Sequence, residues 1–179
     1  DFVYLKTGIT RINVKIKDET ETEINANGPE IDEASLKKLY TKLDKLKEGD
    51  YLVLSGSTPK TLPQNTYSNI LEMLVGRGVH FVVDAQKQLL LNTLVYKPFL
   101  VKPNVFELEE IAGKKLREKT EIIDAAKELR KRGCENVLVS MGDKGAVLVC
   151  EDGKVYIQKA PEGKTVNSVG AGDSMIAGF

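Results

Sequence analysis

A chain of 179 residues, with 26 basic against 26 acidic side chains, one histidine, two cysteines and 41% hydrophobic residues, has the length of one domain or of one domain with a small appendage. Zero formal charge without a stretch of five like charges gives no electrostatic footprint for nucleic acid or anionic lipid. The longest unbroken apolar run, residues 146–150, is far short of the roughly 18 residues of a membrane-spanning helix. No nucleic-acid and no membrane partner is expected.

In chain order, residues 11–17 alternate, with Ile12, Val14 and Ile16 against Arg11, Asn13, Lys15 and Lys17. This is the pattern of a half-exposed strand, and residues 21–25 offer it a partner. Leu36, Leu39, Tyr40, Leu43 and Leu46 then follow helical spacing up to Gly49, and residues 51–54 read as a buried strand. The unit repeats: Tyr67, Ile70, Leu71 and Leu74 form a helical stripe ended by Gly76 and Gly78, and residues 79–83 form a strand ending at Asp84. A short helix near residues 88–94, a strand at 99–101 and a helix at 105–112 follow. Ile122, Ala125, Ala126 and Leu129 mark another helix, stopped by Gly133, before a strand at 137–139. Residues 146–150 and 154–158 flank Glu151-Asp152-Gly153 as a hairpin. A last helix starts near Ala171.

Continuous apolar strands alternating with amphipathic helices predict an α/β fold, with a mainly parallel sheet covered on both faces and joined by right-handed crossovers. Residues 1–28 read as a small β lid and 29–179 as the core. His80 is expected to be a packed strand residue. Cys134 and Cys150 stand outside C-x-x-C spacing, and the start of the chain lacks a signal-peptide pattern, which fits a reducing cytosol. The chain opens at Asp1 rather than Met and closes about two turns into a helix, so a piece of a longer protein is expected.

In open α/β sheets ligands sit at the carboxyl ends of the strands. The residues there are Ser55-Gly56-Ser57, Asp84, Lys102-Pro103-Asn104, and Ser140 through Gly142 to Gly145, with Gly170-Ala171-Gly172-Asp173 opening the last helix. Gly170, Ala171 and Gly172 read either as a glycine turn or as an anion hole of helix-terminal N–H groups. Asp173 is either a partner for the helix dipole or a base for an attacking hydroxyl. Asn104 and Glu107 match a capping box, or else supply oxygens to the waters of a hard cation. Asp84 is a second acid for that cation or a cap; Lys102 is a phosphate contact or a surface lysine. Gly142 and Gly145 admit a nucleotide or merely turn the chain, and Arg11 holds an anionic substrate or is a solvated edge charge. Together these are the parts of phosphoryl transfer. Neither G-x-x-x-x-G-K-[ST] nor the H-R-D and D-F-G motifs occur, which excludes P-loop and protein kinases.

With Val169-Gly170-Ala171-Gly172-Asp173-Ser174 and Lys102-Pro103-Asn104-Val105-Phe106-Glu107 in hand, the chain resembles the ribokinase-like sugar kinases of the phosphofructokinase B family. Residues 10–15 and Ser55-Gly56-Ser57 look most like members acting on fructose 1-phosphate, with kinases of tagatose 6-phosphate next. The resemblance implies a three-layer fold, Asp173 as base, and Gly170, Ala171 and Gly172 as anion hole. It places Lys102, Ser140, Gly142 and Gly145 on ATP, Asp84, Asn104 and Glu107 around Mg²⁺, and Arg11 and Ser55 on the sugar phosphate. A homodimer through the lid is implied as well. A segment ahead of residue 1 and another after residue 179 would be missing from the family pattern. The isolated chain is therefore expected to be nearly inactive; a non-catalytic nucleotide- or sugar-binding piece is the alternative.

Overall fold

The computed structural model describes residues 2–17, 21–163 and 169–179. The alternating N-terminal segment forms an antiparallel ribbon of β1 (Asn13–Lys17) and β2 (Glu21–Asn25), with Val14 opposite Ile24. The rest is built on a six-stranded sheet of β3 (Tyr51–Ser55), β4 (His80–Asp84), β5 (Leu100–Val101), β6 (Asn136–Ser140), β7 (Ala146–Val149) and β8 (Val155–Gln158). β3 to β6 run parallel, and β7 and β8 add the expected antiparallel hairpin, turned at Gly153 with φ +82°.

The helices are α1 (Glu33–Leu43), α2 (Thr66–Leu74), α3 (Lys87–Leu91), α4 (Val105–Ala112), α5 (Lys119–Lys131) and α6 (Ala171–Gly178). α1 starts where the Asp32 carboxylate accepts from the Ser35 N–H at 2.7 Å, one of the orphan donors of a first turn. Leu71, Leu74, Leu90, Leu108 and Leu129 pack on Val83, Val101, Val137, Val139, Val147 and Val149, all essentially without solvent contact. Cys134 is in this core, where burial pushes its thiol up to about 12 and removes its nucleophilic form.

The sheet carries helices on both faces, as expected, but unequally. Strand order runs monotonically from β3 to β6, and right-handed crossovers that always step in one direction deliver every connecting helix to the same face. Residues of α1 to α5 thus join one core. On the other face, among the described residues, α6 alone sits, laying Met175 and Ile176 on Val82, Leu100 and Leu138. Tyr51 and Val53 at the β3 edge of that face remain 58% and 49% exposed. His80 is a strand residue as expected, half-buried and stacked on Tyr51 with ring centroids 4.7 Å apart.

Candidate active site

Because β3, β4, β5 and β6 are parallel, their carboxyl ends rise on one side of the sheet, and the segments singled out in the sequence follow them. The Lys102 N–H donates to the Val83 carbonyl at 3.2 Å, which carries the β5 ladder one step beyond the strand. Its side chain is buried, 6% exposed, with the ammonium 3.2 Å from an Asp84 carboxylate oxygen. A charge taken this far from water needs a partner, and Asp84 is that partner. The surface-lysine reading of Lys102 is thereby corrected.

Lys102 also reaches α6. A Cβ added to Gly172 would lie 3.0 Å from the Lys102 Nζ, so the lysine uses the space that glycine leaves in the helix's first turn. Gly170 is the N-cap, left-handed with φ +78° and without a side chain to cap the turn. A cation facing the positive end of a helix dipole is unfavourable by itself and becomes favourable around a bound anion. Asp173 follows in the same turn, exposed. With Ser55, Val82, Leu100 and Ile176 it lines a cleft of about 400 Å³ between α6 and the open sheet face.

Asn104 caps α4 as its sequence suggested: its side-chain oxygen accepts from the Glu107 N–H at 2.8 Å, and Glu107 accepts from the Asn104 N–H at 2.9 Å. Burial holds the Glu107 carboxyl above its ordinary range; the hydrogen bond from Asn104 opposes this and the nearby Asp84 charge adds to it. For a divalent cation the fit is partial. Asp84 is already paired to Lys102, and Asn104 and Glu107 are paired to each other. No group of three or more metal-binding side chains gathers among the described residues. What remains would suit a cation that keeps its waters, as Mg²⁺ does, and Glu107 and Asp84 are the carboxylates to which such waters would donate.

Ser140 ends β6 and is bridged to Asn104, its N–H donating to the Pro103 carbonyl at 3.1 Å. Asn104, Ser140 and Gly142 line a second cleft of about 430 Å³ together with Phe106, Arg117 and Lys144. Gly142 is left-handed, with open space where a side chain would stand. Gly145 is different: a Cβ there would overlap the Gln158 carbonyl oxygen, so the hairpin itself demands this glycine.

Arg11 reaches from the ribbon to the main body, its guanidinium donating to the Ser57 hydroxyl at 2.8 Å. Ser57 is thus the hydrogen-bond partner of Arg11, while Ser55, expected with Arg11 on the sugar phosphate, lines the cleft with Asp173. Gly56, at φ +82°, separates the two serines by a turn that strand alternation alone does not show.

The pattern of the pfkB family carbohydrate kinases matches residues 1–179. The 1-phosphofructokinase of Bacillus subtilis (strain 168) is 44% identical over 172 residues, covering 96% of this chain and 56% of the relative. A protein of Bacillus licheniformis named D-tagatose-1-phosphate kinase is 38% identical over 180 residues, covering 100% of this chain and 59% of the relative. The tetrameric inhibited form of phosphofructokinase-2 from Escherichia coli superimposes with a TM-score of 0.83 at 27% identity, over 95% of this chain and 57% of that one. The chain thus spans a little over half the length of the relatives it matches.

Proposed function

Because this chain belongs to the pfkB family of carbohydrate kinases, we propose that its whole protein transfers the terminal phosphoryl group of ATP to a hydroxyl of a sugar phosphate. The observation that carries the reading is the buried Lys102 ammonium, paired to Asp84 and lodged against the uncapped first turn of α6 next to Asp173. That arrangement provides positive potential from two sources and a carboxylate beside it.

In the step so proposed, the sugar hydroxyl oxygen attacks the terminal phosphorus, and the bond from that phosphorus to the bridging oxygen of ADP breaks. Asp173 takes the hydroxyl proton. The N–H groups of Gly170, Ala171 and Gly172, with Lys102, receive the charge on the transferring group, which is where electrostatic preorganisation counts most. Ser140 and Gly142 offer a face to the nucleotide. Gly145 serves it by shaping the turn. Arg11, with Ser57 and Ser55, holds the sugar phosphate. Mg²⁺, when bound through waters to Asp84, Asn104 and Glu107, would neutralise phosphate charge.

Fructose 1-phosphate is the favoured substrate, giving fructose 1,6-bisphosphate, since a relative named 1-phosphofructokinase matches at 44% identity. The relative named D-tagatose-1-phosphate kinase supports a tagatose phosphate as the competing reading. No helix among the described residues is long and apolar enough to cross a membrane; we place the protein in the cytoplasm. The test is ADP release from MgATP by the full-length natural polypeptide with fructose 1-phosphate, fructose 6-phosphate and the 1- and 6-phosphates of tagatose. Selective turnover of fructose 1-phosphate supports the proposal, and turnover of none of the four overturns it.

A further inference from the structure

Tyr67, in α2, is 8% exposed and aims its hydroxyl at the end of β3, where it lies 3.0 Å from the Ser55 carbonyl oxygen and 3.1 Å from that of Gly56. One O–H proton shared by two successive carbonyls fixes both peptide planes. The same turn is hooked on its other side, the Gly56 N–H donating to the Asp84 carbonyl at 2.8 Å. Immediately beyond stands Ser57, whose hydroxyl receives the Arg11 guanidinium at 2.8 Å. A turn at positive φ with exposed residues on both sides has few restraints of its own, so these bonds set where Ser57 points.

We propose that Tyr67 is a positioning residue for the sugar-phosphate subsite: through the Ser55 and Gly56 carbonyls it holds Ser57 where Arg11 can reach it. The inference rests on the reading that Arg11 and Ser57 contact the sugar phosphate. Burial, together with the Asp84 charge, raises the Tyr67 hydroxyl above its ordinary pKa, so the donor proton persists throughout the pH range of an assay.

The experiment compares Tyr67→Phe, Ser57→Ala and the double variant in the full-length natural polypeptide. Phenylalanine keeps the ring and its packing and removes only the donor. Tyr67→Phe should raise KM for fructose 1-phosphate about tenfold, leaving kcat and KM for MgATP within about threefold, in line with the loss of one hydrogen bond of about 1.4 kcal/mol. The double variant should be no worse than the weaker-binding single variant, because the two act as one unit. An unchanged sugar KM, or effects that multiply in the double variant, would overturn the proposal.

The positioning is also read without substrate, from the ¹⁵N side-chain signal of Arg11. Tyr67→Phe should move it as Ser57→Ala does; a signal left at its wild-type position overturns the inference whatever the substrate. A moved signal in a protein that turns over no sugar phosphate would uphold the positioning and overturn the functional reading alone.

Discussion

Lys102 and Gly172 share one space: the lysine Nζ stands 3.0 Å from the point a Cβ on residue 172 would occupy. The glycine therefore leaves the space in which a neighbour's ammonium stands. Gly172→Ala is expected to push that ammonium a few tenths of an ångström from the α6 terminus while leaving the fold intact, because the displaced group is the end of a flexible side chain. Misplacement of a charge-stabilising group on a scale of about 1 Å can cost on the order of 10²-fold. A loss of about tenfold in kcat/KM with a nearly unchanged Tm is predicted, measured by steady-state kinetics and thermal melts on the same preparation.

The Lys102–Asp84 pair gives a prediction about stability. Both side chains are largely removed from water, 7% and 19% exposed, so removing one partner leaves the other charge uncompensated. Lys102→Met should cost about 3 kcal/mol. Adding Asp84→Asn should return most of it, since what is lost is compensation and not packing. Urea unfolding of the two single variants and the double variant measures this; costs that simply add would show that the pair is not coupled.

Asp173→Asn separates the two readings of that carboxylate. As a first-turn acid of α6 it contributes only a few tenths to about 1 kcal/mol, so stability changes little either way. As the base it contributes a factor of about 10²–10⁴. The expected outcome is turnover reduced by at least about 10²-fold with MgATP affinity within a few-fold. Full activity in Asp173→Asn would remove the base assignment.

Glu107 carries a pH signature. Its folded-state pKa lies above the ordinary 4.5, chiefly through burial, so the folded protein binds this proton more tightly than the unfolded chain does. Stability from this group is therefore present in acid and declines as pH rises from about 4.5 through the raised value. Glu107→Gln keeps an acceptor for the Asn104 N–H and never ionises. Relative to wild type it should gain stability at pH 7 and lose that advantage near pH 4.5. Denaturant melts at the two pH values check the sign, and a constant difference would contradict it.

Much of this was legible in the sequence, because strands buried on one face and crossing helices leave strong periodicities; residues 105–112 were read as a helix and are α4. The capping box of Asn104 and Glu107 was legible for the same reason, being purely local. The unequal cover of the two faces was not, since strand order is a long-range property that hydrophobic runs do not encode. Tyr67 was read only as an apolar stripe residue, and its hydroxyl meets carbonyls more than ten positions away. The Arg11–Ser57 bond was not legible either, because it joins positions 46 residues apart. Alternation at residues 11–17 gave a signal at the right place, though its apolar side faces outward.

That outward side supports the last prediction. Ile12, Val14, Ile16 and Ile24 are 60%, 46%, 50% and 56% exposed, and the register places Val14 directly opposite Ile24 on one face. Cross-strand apolar pairs left in water are unusual for a ribbon of two strands, which is marginal by itself. Burial against a second copy, the homodimer through the lid that the resemblance implies, would relieve both the exposure and the weakness of the ribbon. Val14→Lys should convert dimer to monomer in sedimentation equilibrium of the full-length protein. Because Arg11 lies immediately before this ribbon and bonds to Ser57, the same change should raise KM for the sugar phosphate more than for MgATP. A dimer that persists in Val14→Lys would place the contact elsewhere on the molecule.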